Sequence, residues 1–190
     1  VFKENTFDGI FHLAAQSHPP SSFVDPLGTF DENIKGSANL IQAISDHQPD
    51  SKLMFCSTSE VYGNIGIDGR KIKWTDTLFP ANPYGASKLA IDCYMQERIE
   101  NKMIKGFITR AFSHTGPRRG DVFAESSFAK QIALIEAKKI KPILKVGNLQ
   151  SLRTFADVRD AVRGYFMLLT KNPKPGEAYN IGGNFSCTIG

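Results

Sequence analysis

The stretch KLMFCSTSE, residues 52–60, decides the fold that this sequence predicts. Its first six residues form a short apolar run with the length and composition of a buried β-strand. Thr58, Ser59 and Glu60 follow directly. In an open sheet of parallel strands, ligands bind at the carboxyl ends of the strands, so these hydroxyls and this carboxylate are candidates for chemistry. Polar residues of a turn and a helix cap give the same pattern, and the stretch alone leaves both interpretations open.

Apolar runs and amphipathic patterns alternate along the rest of the chain. We expect further strands at residues 8–15, 105–112, 142–147 and 179–183, and helices over residues 27–44, 84–99, 128–135 and 158–169. Residues 153–158 are expected to lead into the last of these helices. Because strands and helices alternate, the sequence predicts an α/β fold with a doubly wound parallel sheet.

Residues 82–88, Asn-Pro-Tyr-Gly-Ala-Ser-Lys, open one of the predicted helices. Asn82 is a good N-cap, and Pro83 suits the first helical position because its missing N–H has no partner there. Tyr84 and Lys88 are four residues apart and share one helix face. An ammonium near a phenol favours the phenolate, so we expect Lys88 to lower the pKa of Tyr84 and the pair to act as a general acid or base. An ordinary helix with a surface lysine has the same spacing.

A third polar cluster follows the strand predicted at residues 105–112. Residues 113–120 contain His114, Arg118 and Arg119, and guanidinium groups bind phosphate well. A histidine at a strand end serves structure as often as function, so this loop does not decide between them. Consecutive strand ends of an open parallel sheet face one crevice, and we therefore expect the three polar clusters to meet.

The overall composition limits the class of protein. The 190-residue chain has a net charge of +4 and is long enough for one core with part of a second domain. We expect no nucleic-acid surface, membrane span, signal peptide or metal site. Cys56, Cys93 and Cys187 are far apart and are expected to be reduced thiols, as in a cytoplasmic protein. The glycine pattern at residues 63–69 does not predict a dinucleotide loop, because no apolar helix follows it.

Four motifs resemble the extended short-chain dehydrogenase/reductases, the NAD-dependent epimerase/dehydratase family that acts on nucleotide sugars. They are HLAAQSH at residues 12–18, STSEVYG at 57–63, PYGASK at 83–88 and YNIG at 179–182, in the family's order. The resemblance implies a Rossmann-like sheet truncated at both ends. It also implies a homo-oligomer, a dimer or tetramer that pairs through the helices before and after the strand at residues 52–57.

The same resemblance implies a division of the chain into three parts. Residues 1–113 would form a partial Rossmann cofactor-binding domain without its first strands, and residues 114–151 part of a small substrate-binding segment. Residues 152–190 would return to the Rossmann domain. The phosphate-binding turn of the family would precede this chain.

Within that family the motifs are most similar to the GDP-mannose 4,6-dehydratases. Residues 58–60, Thr-Ser-Glu, and His114 with residues 117–120 match those enzymes. Residues 146–149 followed by Arg153 fit both the dehydratases and the GDP-4-keto-6-deoxymannose reductases, and residues 129–132 fit the reductases better. Both activities stay open, with more motifs on the side of the dehydratase. A non-catalytic nucleotide-binding module is a third interpretation, and it requires all three clusters to be accidental.

The resemblance also implies a role for each site residue, with NAD or NADP as cofactor and a nucleotide sugar as substrate. Tyr84 would take the proton of the sugar's fourth hydroxyl, and Lys88 would hold the phenolate and a cofactor ribose. Thr58 would hydrogen-bond the same oxygen, and Glu60 would remove the proton beside the new ketone. The other implied contacts are with the cofactor, at Leu13, Ala14, Ala15, Gln16, His114 and Arg119, and with the substrate, at Ser59, Ser113 and Arg153. Ser113 stands where these enzymes usually have Asn.

Overall fold

The computed structural model describes residues 1–66 and 69–190. Its strands are β1 (Gly9–His12), β2 (Lys52–Thr58), β3 (Lys105–Ala111), β4 (His114–Thr115), β5 (Leu152–Asp157), β6 (Ala178–Ile181) and β7 (Phe185–Thr188). Its helices are α1 (Pro19–Val24), α2 (Pro26–Phe30), α3 (Gly36–His47), α4 (Pro83–Glu100), α5 (Ala124–Glu136) and α6 (Val158–Thr170). A π-helical turn (Asp31–Lys35) joins α2 to α3, and a 3₁₀ turn (Ser59–Tyr62) follows β2.

The main sheet has the strand order β1-β2-β3-β6, and every neighbouring pair is parallel. This confirms the predicted α/β fold. One core lies between the sheet and helices α3 and α4, and a second lies on the opposite face under α6. Fully burying an Ile, Leu or Phe contributes roughly 1.5–3 kcal/mol, so these two cores provide most of the favourable free energy of the fold. The carboxyl ends of β1, β2 and β3 therefore lie side by side at one edge of a rigid layer.

A second, three-stranded sheet of β4, β5 and β7 differs from the expectation. Residues 153–158 were expected only to lead into a helix, yet most of them form β5, which pairs with β4 and β7. The predicted strand at residues 142–147 is wrong. There the side chain of Gln131 accepts a hydrogen bond from the Lys145 backbone N–H at 2.7 Å and donates one to the Lys145 carbonyl at 3.0 Å. In a sheet, a neighbouring strand would make these two hydrogen bonds.

The helix expected over residues 27–44 is realised as α2, the π-helical turn and α3. Ile41 and Ile44 are fully buried, as expected, but Leu27 is 77% exposed. A π-helical turn closes its hydrogen bonds one residue later than an α-helix, so it changes the phase of the apolar pattern on either side of it. The same turn places the polar side chain of Asn33 in the interior.

The predicted start of α4 is confirmed. The side chain of Asn82 accepts a hydrogen bond from the Gly85 backbone N–H at 2.7 Å, and Pro83 occupies the first turn. The glycine-rich stretch at residues 63–69 contains Ile67 and Asp68, which lie outside the described residues. The residues that follow it, 70–76, form no helix, which agrees with the rejection of a dinucleotide loop.

A buried ion pair that the sequence did not predict joins α4 to β3. Arg110 Nε lies 2.9 Å from Asp92 Oδ2, and both side chains are almost fully buried. Ser57 also donates to this carboxylate, at 3.1 Å. Arg110 Nη1 donates to the Tyr62 hydroxyl and to the Trp74 carbonyl, at 3.1 and 3.0 Å. One network thus fixes the helix, the sheet and the 3₁₀ turn relative to each other.

Breaking this pair from one side should destabilise the protein strongly. Arg110→Met leaves the Asp92 carboxylate buried without its cation, which should lower the free energy of unfolding by about 3–5 kcal/mol. The double variant Arg110→Met/Asp92→Leu removes both charges and should lose less than either single change. Urea unfolding of the full-length protein measures this. Asp50→Asn is the control, since the Asp50–Lys105 pair is exposed and should contribute nothing measurable. A loss for Arg110→Met as small as that of the control would contradict the expectation.

Candidate active site

The structure brings three of the candidate catalytic residues together at the carboxyl end of β2. Thr58 is the last residue of this strand, Glu60 lies in the 3₁₀ turn after it, and Tyr84 lies in the first turn of α4. The Thr58 hydroxyl lies close enough to the Tyr84 phenol for hydrogen bonding that favours the phenolate, and Thr58 Oγ1 accepts a hydrogen bond from the Glu60 backbone N–H at 3.3 Å. The charge of Glu60 also acts on Tyr84. A hydroxyl, a carboxylate and a phenol therefore share one small volume.

The acidity of Tyr84 differs from the expectation. Burial raises the pKa of Tyr84 to about 12, and the hydrogen bond from Thr58 only partly opposes this effect. The negative charge of Glu60 makes a smaller contribution to the same rise in the pKa. Lys88 was expected to lower this pKa, but its ammonium lies 4.8 Å above the ring of Phe55 and has no resolved effect on the phenol. In this structure, loss of solvation outweighs any stabilisation of the phenolate by Lys88.

Lys88 is one turn further along α4 and is only 4% exposed. Burial lowers its pKa, so its charge is costly where it lies. No carboxylate among the described residues is within ion-pair distance of it. The buried imidazole of His12, at the end of β1, is close enough for burial and the charge of Lys88 to lower the pKa of His12 to about 4. His12 is therefore neutral at pH 7, and its Nε2 shares a 2.8 Å hydrogen bond with Ser37.

The four residues implied to touch the cofactor after β1, Leu13 to Gln16, are held by a side chain that the sequence did not single out. Asn33, from the π-helical turn, accepts from the Gln16 backbone N–H at 2.8 Å and donates to its carbonyl at 3.0 Å. The same amide donates to Ser87 of α4 at 2.9 Å. Asn33 thus links the segment after β1 to the helix that carries Tyr84. The visible signal in the sequence was a polar residue inside an otherwise amphipathic pattern.

His114 and Arg119 form a second group at the end of β3. The guanidinium of Arg119 donates to the His114 carbonyl at 2.6 Å and stacks on the ring of Phe123, 3.9 Å from its centroid. The ring of His18 packs edge-on against the same phenylalanine at 5.6 Å. Arg119 Nε is buried and has no hydrogen-bond partner, and the carboxylate of Glu125 lies 3.7 Å from it, at ion-pair distance. This group contacts the segment that follows β1, through His18.

The three residues implied to touch the substrate lie in different places. Ser59 is half-buried in the 3₁₀ turn, and Ser113 follows β3, where its carbonyl accepts from the Ala156 N–H at 3.1 Å. Arg153 lies exposed in β5 and donates to the carbonyl of Leu152 at 2.9 Å. No contact among the described residues joins Arg153 to the group around Tyr84.

Two further classes of site are absent from the part of the chain that the structure describes. None of its helices is both long and apolar enough to span a bilayer. It also contains no group of three or more His, Cys, Asp or Glu side chains that could bind a metal ion.

Comparison with known proteins gives a consistent result. A family model described as GDP-mannose 4,6 dehydratase matches residues 1–190 of this chain. The GDP-6-deoxy-D-mannose reductase of Pseudomonas aeruginosa is 32% identical over 174 residues, which cover 92% of this chain and 57% of that enzyme. The chain spans about half the length of the curated relatives it matches.

Solved structures show the same similarity. The structure of RMD from Pseudomonas aeruginosa complexed with NADPH has a TM-score of 0.89 and 31% identity, covering 96% of this chain and 62% of that one. The dTDP-glucose 4,6-dehydratase of Streptomyces venezuelae with NAD and TYD bound has a TM-score of 0.85 and 27% identity, covering 96% and 54%.

The neighbours of Tyr84 should move its pKa in opposite directions. Thr58→Val removes the donor to the phenolate and should raise the pKa above its value of about 12, whereas Glu60→Gln removes a negative charge and should lower it. Thr58→Ser keeps the hydroxyl and is the matched control. The measurement is a pH titration of ¹³C-labelled tyrosine by NMR, with Tyr84→Phe to assign the signal. Shifts of the same sign in the first two variants would contradict the geometry.

Proposed function

Because this chain belongs to the GDP-mannose 4,6-dehydratase family of nucleotide-sugar enzymes, we propose that the protein is an NAD(P)-dependent dehydratase that converts GDP-mannose to GDP-4-keto-6-deoxymannose. The single observation that carries this proposal is the place of Glu60. Its carboxylate is bound by Asn82, two residues before Tyr84, and its charge acts on the phenol, which supports a role as the base that the oxidised sugar would need. Sugar oxidation alone needs a hydroxyl and a phenol but no carboxylate.

The residues present fit a nicotinamide dinucleotide. The buried Lys88 ammonium has no carboxylate partner among the described residues, and the buried Arg119 Nε has no hydrogen-bond partner. Such donors suit ribose hydroxyls and phosphate oxygens. The proposed cofactor contacts are Leu13, Ala14, Ala15, Gln16, Tyr84, Lys88, His114 and Arg119. Residues 1–113 and 152–190, together with His114 and Arg119, would hold this cofactor, and the rest of residues 114–151, with Arg153, would face the nucleotide sugar.

The first half of the proposed reaction takes place at the fourth carbon of the sugar. A nicotinamide cofactor bound by these residues would supply a hydride acceptor at this carbon and a hydride donor at the sixth carbon, and the positive charge of its oxidised ring would favour a phenolate nearby. Tyr84 would take the proton of the fourth hydroxyl, and Thr58 would hydrogen-bond the same oxygen as it becomes a ketone oxygen. Lys88, one turn further along α4, would bind a ribose hydroxyl of the cofactor next to the phenol.

The second half uses Glu60. A ketone at the fourth carbon acidifies the proton on the fifth carbon, and the Glu60 carboxylate would remove that proton. The hydroxyl on the sixth carbon would then leave as water and take the proton from Glu60. Ser59 and Ser113 would orient the sugar. The net reaction would be the loss of one water from the sugar, with no cofactor consumed.

A second candidate function is the reduction of GDP-4-keto-6-deoxymannose. The observation in its favour is the high pKa of Tyr84, which keeps the phenol protonated at neutral pH and ready to donate to a ketone oxygen. The similarity to the Pseudomonas reductase supports it as well. In that reaction Glu60 would have no proton to remove.

The two candidates differ in what the full-length protein does with GDP-mannose and no added reductant. We expect a 4-keto-6-deoxy product with no net change in cofactor. Mass spectrometry of the nucleotide sugar detects this product. Glu60→Gln should stop water loss and proton exchange at the fifth carbon while the fourth carbon is still oxidised. Oxidation of NADPH by the keto sugar, with GDP-mannose left unchanged, would support the reductase and refute the dehydratase.

Tyr84→Phe tests the part that both candidates share. The change removes one oxygen from a buried ring, so turnover should fall by about 10²-fold or more while binding of the nucleotide sugar is kept. Steady-state kinetics and calorimetric titration measure the two quantities. Tyr94→Phe is the control, because it makes the same chemical change on the outer part of α4, away from the site. Near-normal turnover of Tyr84→Phe would remove Tyr84 from its role.

A further inference from the structure

We infer that Asn82 is a positioning residue for Glu60, in addition to capping α4. This inference rests on the proposed function, because it assigns Asn82 a part in the elimination step. Asn82 Nδ2 donates a hydrogen bond to Glu60 Oε2 at 2.8 Å. Asn82 Oδ1 accepts from the Gly85 backbone N–H at 2.7 Å. One side-chain amide therefore joins the proposed base to the first turn of the helix that carries Tyr84.

The chemistry of the contacts fixes the orientation of this amide. The Gly85 N–H is a donor and requires the carbonyl oxygen of Asn82. The NH₂ group must then face the other way, toward the Glu60 carboxylate. An ionised carboxylate accepts hydrogen bonds but cannot donate them. Reversing the amide would place a donor against a donor and an oxygen against an oxygen. The cap thus determines which end of Asn82 meets Glu60.

The backbone of the two segments is too close to allow much movement. A Cβ placed on Gly85 would lie 2.8 Å from the Glu60 carbonyl oxygen and 3.0 Å from the Cβ of Pro80. The first turn of α4 therefore lies directly against the 3₁₀ turn that carries Glu60. The backbone contact fixes the main chain of Glu60, and Asn82 fixes the carboxylate end of its side chain.

This arrangement uses only one oxygen of the carboxylate. Among the residues that the structure describes, Asn82 is the only side chain that donates to Glu60, and it does so through Oε2. Oε1 is left to accept a proton from a substrate. A hydrogen bond to a carboxylate is charge-assisted and directional, so it restricts the rotation of the last side-chain bond of Glu60. Asn82 would thus aim Oε1 in the direction that elimination needs.

Asn82→Ser separates the two roles of this residue. Serine caps a helix about as well as asparagine, so α4 should begin as before. Its single oxygen does the capping, and its side chain ends one atom short of the position of Nδ2. Asn82→Asp is the second variant, because aspartate also caps well but turns a carboxylate oxygen toward Glu60 in place of the donor. The control is Asp157→Ser, which exchanges the N-cap of α6 in the same way, away from Glu60.

In the full-length protein, we expect Asn82→Ser to slow proton exchange at the fifth carbon of GDP-mannose by about ten- to a hundredfold, through loss of positioning. Oxidation of the fourth carbon should keep its rate, so reduced cofactor should accumulate in a single turnover. The midpoint of thermal unfolding should match that of the wild type. A variant in which both steps slow equally, or neither slows, would overturn the role of Asn82 in elimination.

A measurement without substrate keeps this inference separate from the proposed function. In protein labelled with ¹³C at the glutamate carboxyl groups, Glu60→Gln assigns the Glu60 signal. That signal should shift in Asn82→Ser and Asn82→Asp but not in Asp157→Ser. An unmoved signal would refute the contact, whatever the enzyme does. If the signal shifts but the wild type leaves GDP-mannose unchanged, the contact stands, and the proposed reaction fails together with the part assigned to Asn82 in it.

Discussion

The close approach of α4 to the backbone of Glu60 is the contact on which the candidate site depends. Without a side chain at Gly85, the first turn of the helix reaches within van der Waals distance of the 3₁₀ turn after β2. Tyr84 precedes this glycine, so its phenol reaches Thr58, the last residue of the strand. Any larger residue at Gly85 would push the helix away from the carboxyl end of the sheet. The site is therefore a consequence of how closely one helix start fits one strand end.

The buried polar network under this contact holds it in place. Asp92 and Arg110 join the middle of α4 to β3, and Tyr62 joins the end of the 3₁₀ turn to the same guanidinium. Tyr62 in turn donates to Asn180 of β6 at 2.7 Å. A buried ion pair gains little net stability when compared with apolar packing, but its geometry is specific. Here that geometry fixes the helix and the turn, whose ends carry Tyr84 and Glu60.

Much of this arrangement follows from the sequence, and the exceptions have physical causes. The apolar runs of β2 and β3, the cap at Asn82 and the polar residues after each strand are local signals, and they predicted the sheet and the meeting of Thr58, Glu60 and Tyr84. The strand β5 depends on pairing with β7, about thirty residues further on, which no local pattern contains. The segment 142–147 has a strand-like composition, but Gln131 provides its hydrogen bonds. The buried position of Asn33 depends on a π-helical turn, which a pattern of period 3.6 does not predict.

The acidity of Tyr84 shows most clearly what sequence spacing omits. A separation of four residues places Lys88 on the same helix face, but the effect of a charge depends on where its atoms lie and on how much solvent surrounds the phenol. Burial dominates, and the phenol is held protonated near neutral pH. A protonated phenol can deliver a proton to a ketone without further change, whereas oxidation of an alcohol first requires a positive charge close to the phenol oxygen. In the proposed reactions, the same frame of Thr58, Tyr84 and Lys88 would therefore serve both directions of the chemistry at the fourth carbon. What would distinguish a dehydratase from a reductase on this frame is a carboxylate that removes a proton from the oxidised sugar, and the proposal gives that part to Glu60, whose Oε2 accepts a hydrogen bond from Asn82.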